Sequence, residues 1–490
     1  MSVLRKLASQ TAIYGLSTML GRLINYLLVP LYTRTLVNVA DYGIVGVMFG
    51  YASLGAVLFA FGLETGFFNF ARKQDKPEPV FATAAHFILL TGLFWIALSR
   101  IFGVEIMSFI GYPYAPEYAF WFTVILASDA LSSLAFAYLR QQQKPWNFAW
   151  VRLSNIGINV SANLFFLVFL PYWGAKHEWA LTLYNQQSQV SWIFISNLIA
   201  STATLILLSP ILKHLKLGMD LELLKRMLSY SYPIVFIGLA GMINETFDRI
   251  LIKSLIPGFD SDYQVSIYSA FYKLSMVLTL FVQAFRFAVE PYFFEQAKTL
   301  NPQESYAYIM KWFVYVVATI YVGTLLILPY IAPLLIQNPE YFEHPDGMRL
   351  VPYLLGANLF LGLYYTLSVW YKVSEKTHIG AIPAFVGATI TIALNLWLIP
   401  EIGILGAAIT TLITYASMLI MGYWLSRKFY PIPYDLPRIG IILIFTFLMG
   451  YLMVHAQLGF IINLLLFLAF ILFIYLYETQ IHYGQRKNHQ

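Results

Sequence analysis

The chain has 490 residues, 59% of them hydrophobic and only 11% charged, with a formal net charge of +6. Soluble domains carry about 25% charged residues, so this composition excludes a soluble globular protein and points to an all-α polytopic membrane protein. There is no cysteine, which excludes a disulfide framework.

Stretches apolar and long enough to cross a bilayer fall near residues 10–36, 43–70, 80–102, 117–139, 147–171, 190–212 and 230–257. They continue near 264–294, 306–336, 350–371, 378–400, 403–426, 438–455 and 458–478, which makes fourteen transmembrane helices. The opening MSVLRKLASQ has no short apolar core with a small-residue cleavage site. It runs straight into the first span and reads as an uncleaved signal anchor.

The connections between spans alternate in charge. Arg5, Lys6, Arg72, Lys73, Lys76, Arg140, Lys144, Lys213, Lys216, Lys225 and Arg226 fall on one face, with Lys372, Lys376, Arg427, Lys428, Arg438, Arg486 and Lys487. The other face holds Arg34, Arg100, Lys176, Lys253 and Arg349 among Asp41, Glu178, Asp260, Asp262, Glu340, Glu343 and Asp346. By the positive-inside rule both termini are cytoplasmic. The basic balance therefore reports topology, and a nucleic-acid partner is excluded.

Sparse echoes run in the same order through both halves. Ile24-Asn25 and Arg34-Thr35-Leu36 return as Ile243-Asn244 and Lys253-Ser254-Leu255, and Asp41-Tyr42 as Asp262-Tyr263. Arg140, Lys144 and Asn163 return as Lys372, Lys376 and Asn395, each shifted by 232 (372 − 140). Six spans per repeat give two parallel six-helix bundles, with two C-terminal helices outside the repeat. The expected divisions are 1–218, 219–428 and 429–490.

Polar residues inside the spans mark the candidate site, because a charge at the bilayer centre costs about 2.5–3.5 kcal/mol or more. Span one carries Thr11, Thr18, Arg22, Asn25 and Thr33 in one stripe, and Pro30 is placed to kink the helix above Arg22. A guanidinium at that depth suits a phosphate or pyrophosphate by bidentate hydrogen bonds. The alternative is an arginine paired with Glu64 or Asp129.

Span seven holds Asn244, Glu245, Asp248, Arg249 and Lys253, with Glu245/Arg249 and Asn244/Asp248 at i,i+4. These form either a charged arc along a transport path or an internal ion pair. Span eight adds Ser266, Ser269, Lys273, Met276, Gln283 and Glu290, with Arg286 beside them. Glu64 and Asp129 are lone acids in apolar helices, read as structural partners or as protonatable or sodium-binding coupling sites. His86 and His455 fall near span ends and read as interfacial. The loop QNPEYFEHPDGMR (337–349) reads as solvated and acidic rather than as a metal site. No glycine-rich phosphate cradle with lysine is present, so ATP is not the direct energy source, and no catalytic site is visible.

Four phrases carry a family resemblance: QTAIYGLSTMLGRLINYLLVPLYTR (10–34), Asp41-Tyr42-Gly43, Gly62-Leu63-Glu64-Thr65-Gly66-Phe67-Phe68 ending in Arg72, and NLWLIPEIGILGAAITT (395–411). In order and coverage the chain resembles the multidrug/oligosaccharidyl-lipid/polysaccharide exporter superfamily, in its polysaccharide and O-antigen flippase branch. Two departures concern loop geometry: the turn of the first half is stretched over 172–189, and the glycine often found before the Tyr-Gly is missing.

The resemblance implies a flippase of the bacterial inner membrane with no cofactor. Its substrate would be an undecaprenyl-pyrophosphate-linked oligosaccharide, its other partners membrane lipid and polysaccharide assembly proteins. It implies that the head group enters a basic cavity between the bundles, with Arg22, Asn25, Glu245, Asp248 and Arg249 contacting it. Arg34, Lys253 and Lys273 would help at the outer rim, and rocking of the bundles would give alternating access. Two relatives stay open, an ion-coupled multidrug exporter and the lipid II flippase. The latter typically bears an extra arginine and an Arg-Asp pair in span one, which Leu23 to Tyr26 do not supply. A membrane glycan polymerase falls with the short loops.

Overall fold

The computed structural model describes residues 14–487 apart from 16, 22, 25, 259, 298–300, 375, 457 and 458. Arg22, Asn25 and Thr11, all named above, lie outside the described residues. By compactness the chain divides into two units, 1–250 and 251–490. This division differs from the repeat boundary expected at 218/219, because most of the seventh span packs with the first unit.

The first unit begins with α1 (Val29–Thr35), which has Pro30 in its first turn where a missing N–H is harmless. α2 (Val39–Ala60) is capped by the Asn38 side chain, which accepts from the Ala40 N–H. It is separated from α3 (Leu63–Ala71) by Phe61 and Gly62, both at positive φ. At Gly62 a Cβ would lie 2.9 Å from the Ser231 carbonyl, so only glycine serves both the turn and the contact. α4 (Glu78–Ile101), α5 (Glu117–Gln141) and α6 (Pro145–Leu164) follow. α6 runs on through a π-helical turn, Phe165–Phe169, and the short helix Leu170–Gly174. α7 (Gln189–Leu207) is capped by Ser188, whose hydroxyl accepts from the Ser191 N–H. Leu63, Phe67, Phe81, Ile88, Leu134 and Tyr138 form the core between α3, α4 and α5.

α8 (Leu221–Leu255) carries the seventh span, and up to residue 250 it lies along α2. Ser53 Oγ is 2.7 Å from Thr246 Oγ1, and a Cβ on Gly50 would touch Ile250. Lipid-embedded helices associate through such small-residue seams, because lipid gives them no hydrophobic drive to meet.

The second unit holds α9 (Asp260–Gln296), α10 (Pro302–Leu335), α11 (Gly347–Leu367), α12 (Ile382–Phe429), α13 (Leu436–His455) and α14 (Phe460–Lys487). α12 has 48 residues but is broken at Ile402 (φ −132°) and Gly403 (φ +60°). It is therefore two helices folded back on each other, with the turn where Pro400 and Gly403 placed it. Thr391 and Thr414 hydroxyls meet across it at 3.1 Å, and Gly406 sits so close to Leu398 that no Cβ fits between them. Phe271, Phe313, Tyr321 and Trp370 are fully buried in this unit. α14 is the contrast: Ile461 is 73% exposed and Phe470 is its one fully buried side chain among the described residues.

Twelve described helices are long and apolar enough to cross a membrane. Counting α12 as two crossings and adding the partly described first span recovers fourteen. The chain is an all-helical multi-pass membrane protein.

Candidate functional site

A polar cavity of about 350 Å³ opens inside the first unit. α5 contributes Asp129, Ser132 and Ser133, α6 Arg152, Asn155 and Asn159, and α7 Asn197, Ser201 and Thr204; Thr18 and Gly21 come from the first span. The α6 residues continue to Asn163 at spacings of 3, 4 and 4, which is one helix face. Asn155 Nδ2 donates to Thr204 Oγ1 at 2.8 Å and to the Ala200 carbonyl at 3.1 Å. Asn163 Nδ2 donates to the Asn159 carbonyl at 2.8 Å, and the Tyr32 hydroxyl donates to Asn163 Oδ1 at 3.1 Å. Asp129 reaches the cavity surface, where Ser201 and Arg152 also stand. Ser132 Oγ is buried with no hydrogen-bond partner among the described residues. The cavity thus offers one carboxylate, one guanidinium and a row of amides and hydroxyls, a set able to hold a small polar guest or exchange a proton.

Next to this cavity Glu64, at the start of α3, is ion-paired with Arg140 and accepts from Ser133 Oγ at 2.8 Å. Arg140 also lies 5.2 Å over the Phe68 ring and 5.9 Å over Phe148. Glu64 is therefore held by Arg140. A second cleft, of about 490 Å³, is lined by Thr65, Phe68, Asn69, Arg72, Lys73 and Tyr230. Its two cations are exposed, which suits a diffusing anion.

On α8 the expected single arc splits. Asn244 and Asp248 are buried at 7% and 4% exposure, whereas Glu245 is exposed. Arg249 pairs with its neighbour Asp248 at 3.1 Å and donates to the Glu245 backbone carbonyl, not to its carboxylate. Two i,i+4 pairs offset by one residue stand about 100° apart, and only the Asn244/Asp248 pair is buried. Arg34 is exposed at the end of α1, with no ion pair among the described residues.

In the second unit Lys253 binds Asp262 at 2.7 Å and Ser261 at 3.2 Å, closing the turn between α8 and α9. Lys273 is half-buried on α9. Glu290 pairs with Lys372 at 2.6 Å and lies 3.7 Å from Arg286, which stacks on Tyr365. Two groupings escaped the sequence reading. The Arg152–Asn163 row was visible as a helical spacing among loosely polar residues. The other joins Glu478 to Lys311 and, at 3.3 Å, to Arg438, with the Tyr315 hydroxyl donating to Glu478 at 2.8 Å. Its members are 167 residues apart in the chain, so no spacing announced it. In the 337–349 loop Asp346 pairs with Arg349 at 3.5 Å, and burial lowers the His344 pKa against the opposing pull of Asp346.

Apolar crossing helices with charged and amide groups held inside them define a multi-pass membrane protein with a polar interior. A model of the polysaccharide biosynthesis protein family matches residues 7–297. The chain belongs to that family. Three solved structures share the fold. "Lipid II flippase MurJ" in its inward closed conformation aligns at a TM-score of 0.71 and 14% identity, covering 96% of this chain and 99% of that one. An inward-facing multidrug resistance MATE family transporter aligns at 0.61 and 15% identity, over 88% of this chain and 95% of its own. The eukaryotic MATE transporter AtDTX14 aligns at 0.54 and 14% identity, covering 90% and 98%. No curated protein matches the sequence.

Proposed function

We propose that the protein flips an undecaprenyl-pyrophosphate-linked oligosaccharide across the bacterial inner membrane for surface polysaccharide or lipopolysaccharide assembly. Both termini are cytoplasmic in this reading. The observation that carries it is the pair of neighbouring sites in the first unit, the exposed Arg72/Lys73 cleft and the amide-lined cavity. A diphosphate needs cations, and sugar hydroxyls need groups that both donate and accept. Arg72 and Lys73 receive the head group, and Arg22, Asn25, Arg249 and Lys273 are the further residues this reading assigns to substrate contact. Asp248 and Glu245 tune Arg249, while Lys253 and Arg34 act at the outer rim. The polyprenyl tail stays in lipid along the exposed face of α14. Alternating exposure of the polar interior completes the transfer.

The test is a clean gene deletion followed by extraction of surface glycans and lipid-linked intermediates. Loss of surface polysaccharide with accumulation of pyrophosphate-linked units on the cytoplasmic leaflet supports the reading. Arg22→Ala is expected to abolish surface polysaccharide while the protein stays in the membrane. Normal polysaccharide in that variant removes Arg22 from the site.

A second reading, an ion-coupled multidrug exporter, is favoured by Asp129, an acid exposed at the surface of the polar cavity between apolar helices. Unchanged glycans with new sensitivity to cationic drugs in the deletion strain would select it.

A further inference from the structure

The stretched connection between α6 and α7 builds a second binding feature, remote from the cations. It folds into the short helices Leu170–Gly174 and Glu178–Tyr184, with Trp173 and Trp179 rings 6.3 Å apart. Beyond them the run Asn185-Gln186-Gln187-Ser188-Gln189 borders a cleft of about 660 Å³, completed by residues near Val37 and Tyr114. All three connections lie at the face opposite the Arg72/Lys73 and Arg140/Lys144 ends of the same spans.

The frame of this cleft is fixed. Gln189 Nε2 donates to the Thr35 carbonyl at 2.9 Å and to the Tyr184 hydroxyl at 2.8 Å, while its Oε1 accepts from the Val37 N–H at 3.0 Å. One carboxamide thereby ties two connections together. The Tyr118 hydroxyl, from α5, sits 3.0 Å from Ser191 Oγ and 3.3 Å from Ser188 Oγ and ties in the third. The neighbouring amides do none of this work. Asn185, Gln186 and Gln187 line the cleft without a side-chain hydrogen bond among the described residues, and Asn185 and Gln186 are exposed. Tyr114 presents its ring there at 67% exposure.

The lining contains no lysine, arginine or histidine and a single carboxylate, Glu117. An anion has nothing to pair with in it. Each free carboxamide offers two donors and an acceptor, the complement of a sugar hydroxyl that donates and accepts at once. An exposed aromatic face supplies the apolar platform against which the C–H face of a pyranose ring lies, and a few fixed polar groups then set its orientation. We propose that this cleft is a binding site for a neutral pyranose-containing oligosaccharide on the face where the transported glycan emerges. The emergence side rests on the flippase reading; the sugar chemistry of the cleft does not. The ligand has two sources, the lipid-linked unit just delivered or glycan already free of its carrier.

The test uses the full-length protein in lipid nanodiscs. The probe is the oligosaccharide released by mild acid from the host's own surface polysaccharide, labelled at its reducing end and followed by fluorescence anisotropy. Saturable binding is expected, weakened about tenfold by Asn185→Ala/Gln186→Ala/Gln187→Ala, which removes two to three neutral hydrogen bonds. Because those side chains hold nothing in the frame, the variant is expected to melt with the wild type. Tyr114→Ala, with every amide in place, is expected to weaken binding about fivefold. Absent saturable binding, or equal binding by the triple variant, overturns the proposal. Competition separates the sources: displacement at lower concentration by the intact lipid-linked unit assigns the delivered substrate, and equal displacement by free polysaccharide assigns free glycan. A deletion strain with normal surface polysaccharide would remove the flippase reading while the nanodisc measurement still judged the cleft.

Discussion

The two units use the same fastener at one end and different chemistry inside. Arg140 on α5 holds Glu64 of the second span, and Lys372, its echo 232 residues later, holds Glu290 of the eighth. The second echo diverges. Asn163 is fully buried and satisfied by the Tyr32 hydroxyl and Asn159, beside an open polar cavity. Asn395 is equally buried, yet neither atom of its carboxamide has a partner among the described residues. Pairing 391 with 414 across the α12 turn places Asn395 level with Thr410, whose hydroxyl is also buried and unpartnered. Both units keep a charged pair at a helix end, whereas the internal amide serves a cavity in one and fills a seam in the other.

Five variants would break or sharpen this contrast. The largest effect is expected outside the shared pattern, at the second unit's own network. Glu478→Ala leaves Lys311 without its carboxylate and Arg438 with Asp435 alone, both cations being little exposed. Losing one partner of a buried pair costs about 3–5 kcal/mol, so unfolding of the purified protein is expected to shift strongly. Next comes the asparagine comparison itself. Asn163→Leu strands the buried Tyr32 hydroxyl and is expected to cost about 1–3 kcal/mol. Asn395→Leu removes two unpartnered atoms, so its expected effect lies between neutral and about 1 kcal/mol stabilising. Equal losses at both positions in a thermal-shift assay would show that the two amides do the same work.

Arg140→Ala is expected to cost less, about 1 kcal/mol, because both members of its pair are about a third exposed and screened by solvent. The smallest effect is a pH response confined to the second unit. Burial lowers the His344 pKa, so the folded loop favours the neutral ring and the unfolded chain binds more protons. Stability from this group is present above the ordinary histidine pKa of about 6.5 and is lost as pH falls from there toward the folded value. Hydrogen exchange across residues 337–346 is expected to quicken on acidification and to lose that dependence in His344→Gln.

Much of the fold was legible because its signals are one-dimensional. Apolar length placed the spans, and Pro400 with Gly403 marked the turn that splits α12. The site was legible only in part. Glu64, Asp129 and Arg249 stood out as charges in apolar helices, but spacing alone does not say whom they meet. The i,i+4 rule suggested Glu245 for Arg249; the fold pairs it with its neighbour Asp248 instead. The Arg152–Asn163 row was periodic but mostly uncharged, so it did not rise above the background of small polar residues. The glycan cleft is harder still, since its three walls come from connections near residues 37, 114 and 187.

By itself the amino-acid sequence determined that the chain lives in a membrane, how many times it crosses and that its halves echo each other. Those properties follow from transfer free energy and helix period, which are local sums over neighbouring residues. Only the tertiary structure decided which acid each cation binds, which amide faces a cavity and which loops meet at a common cleft. Those outcomes depend on packing between helices far apart in the chain, where one face must be buried and the rest take the partners that remain.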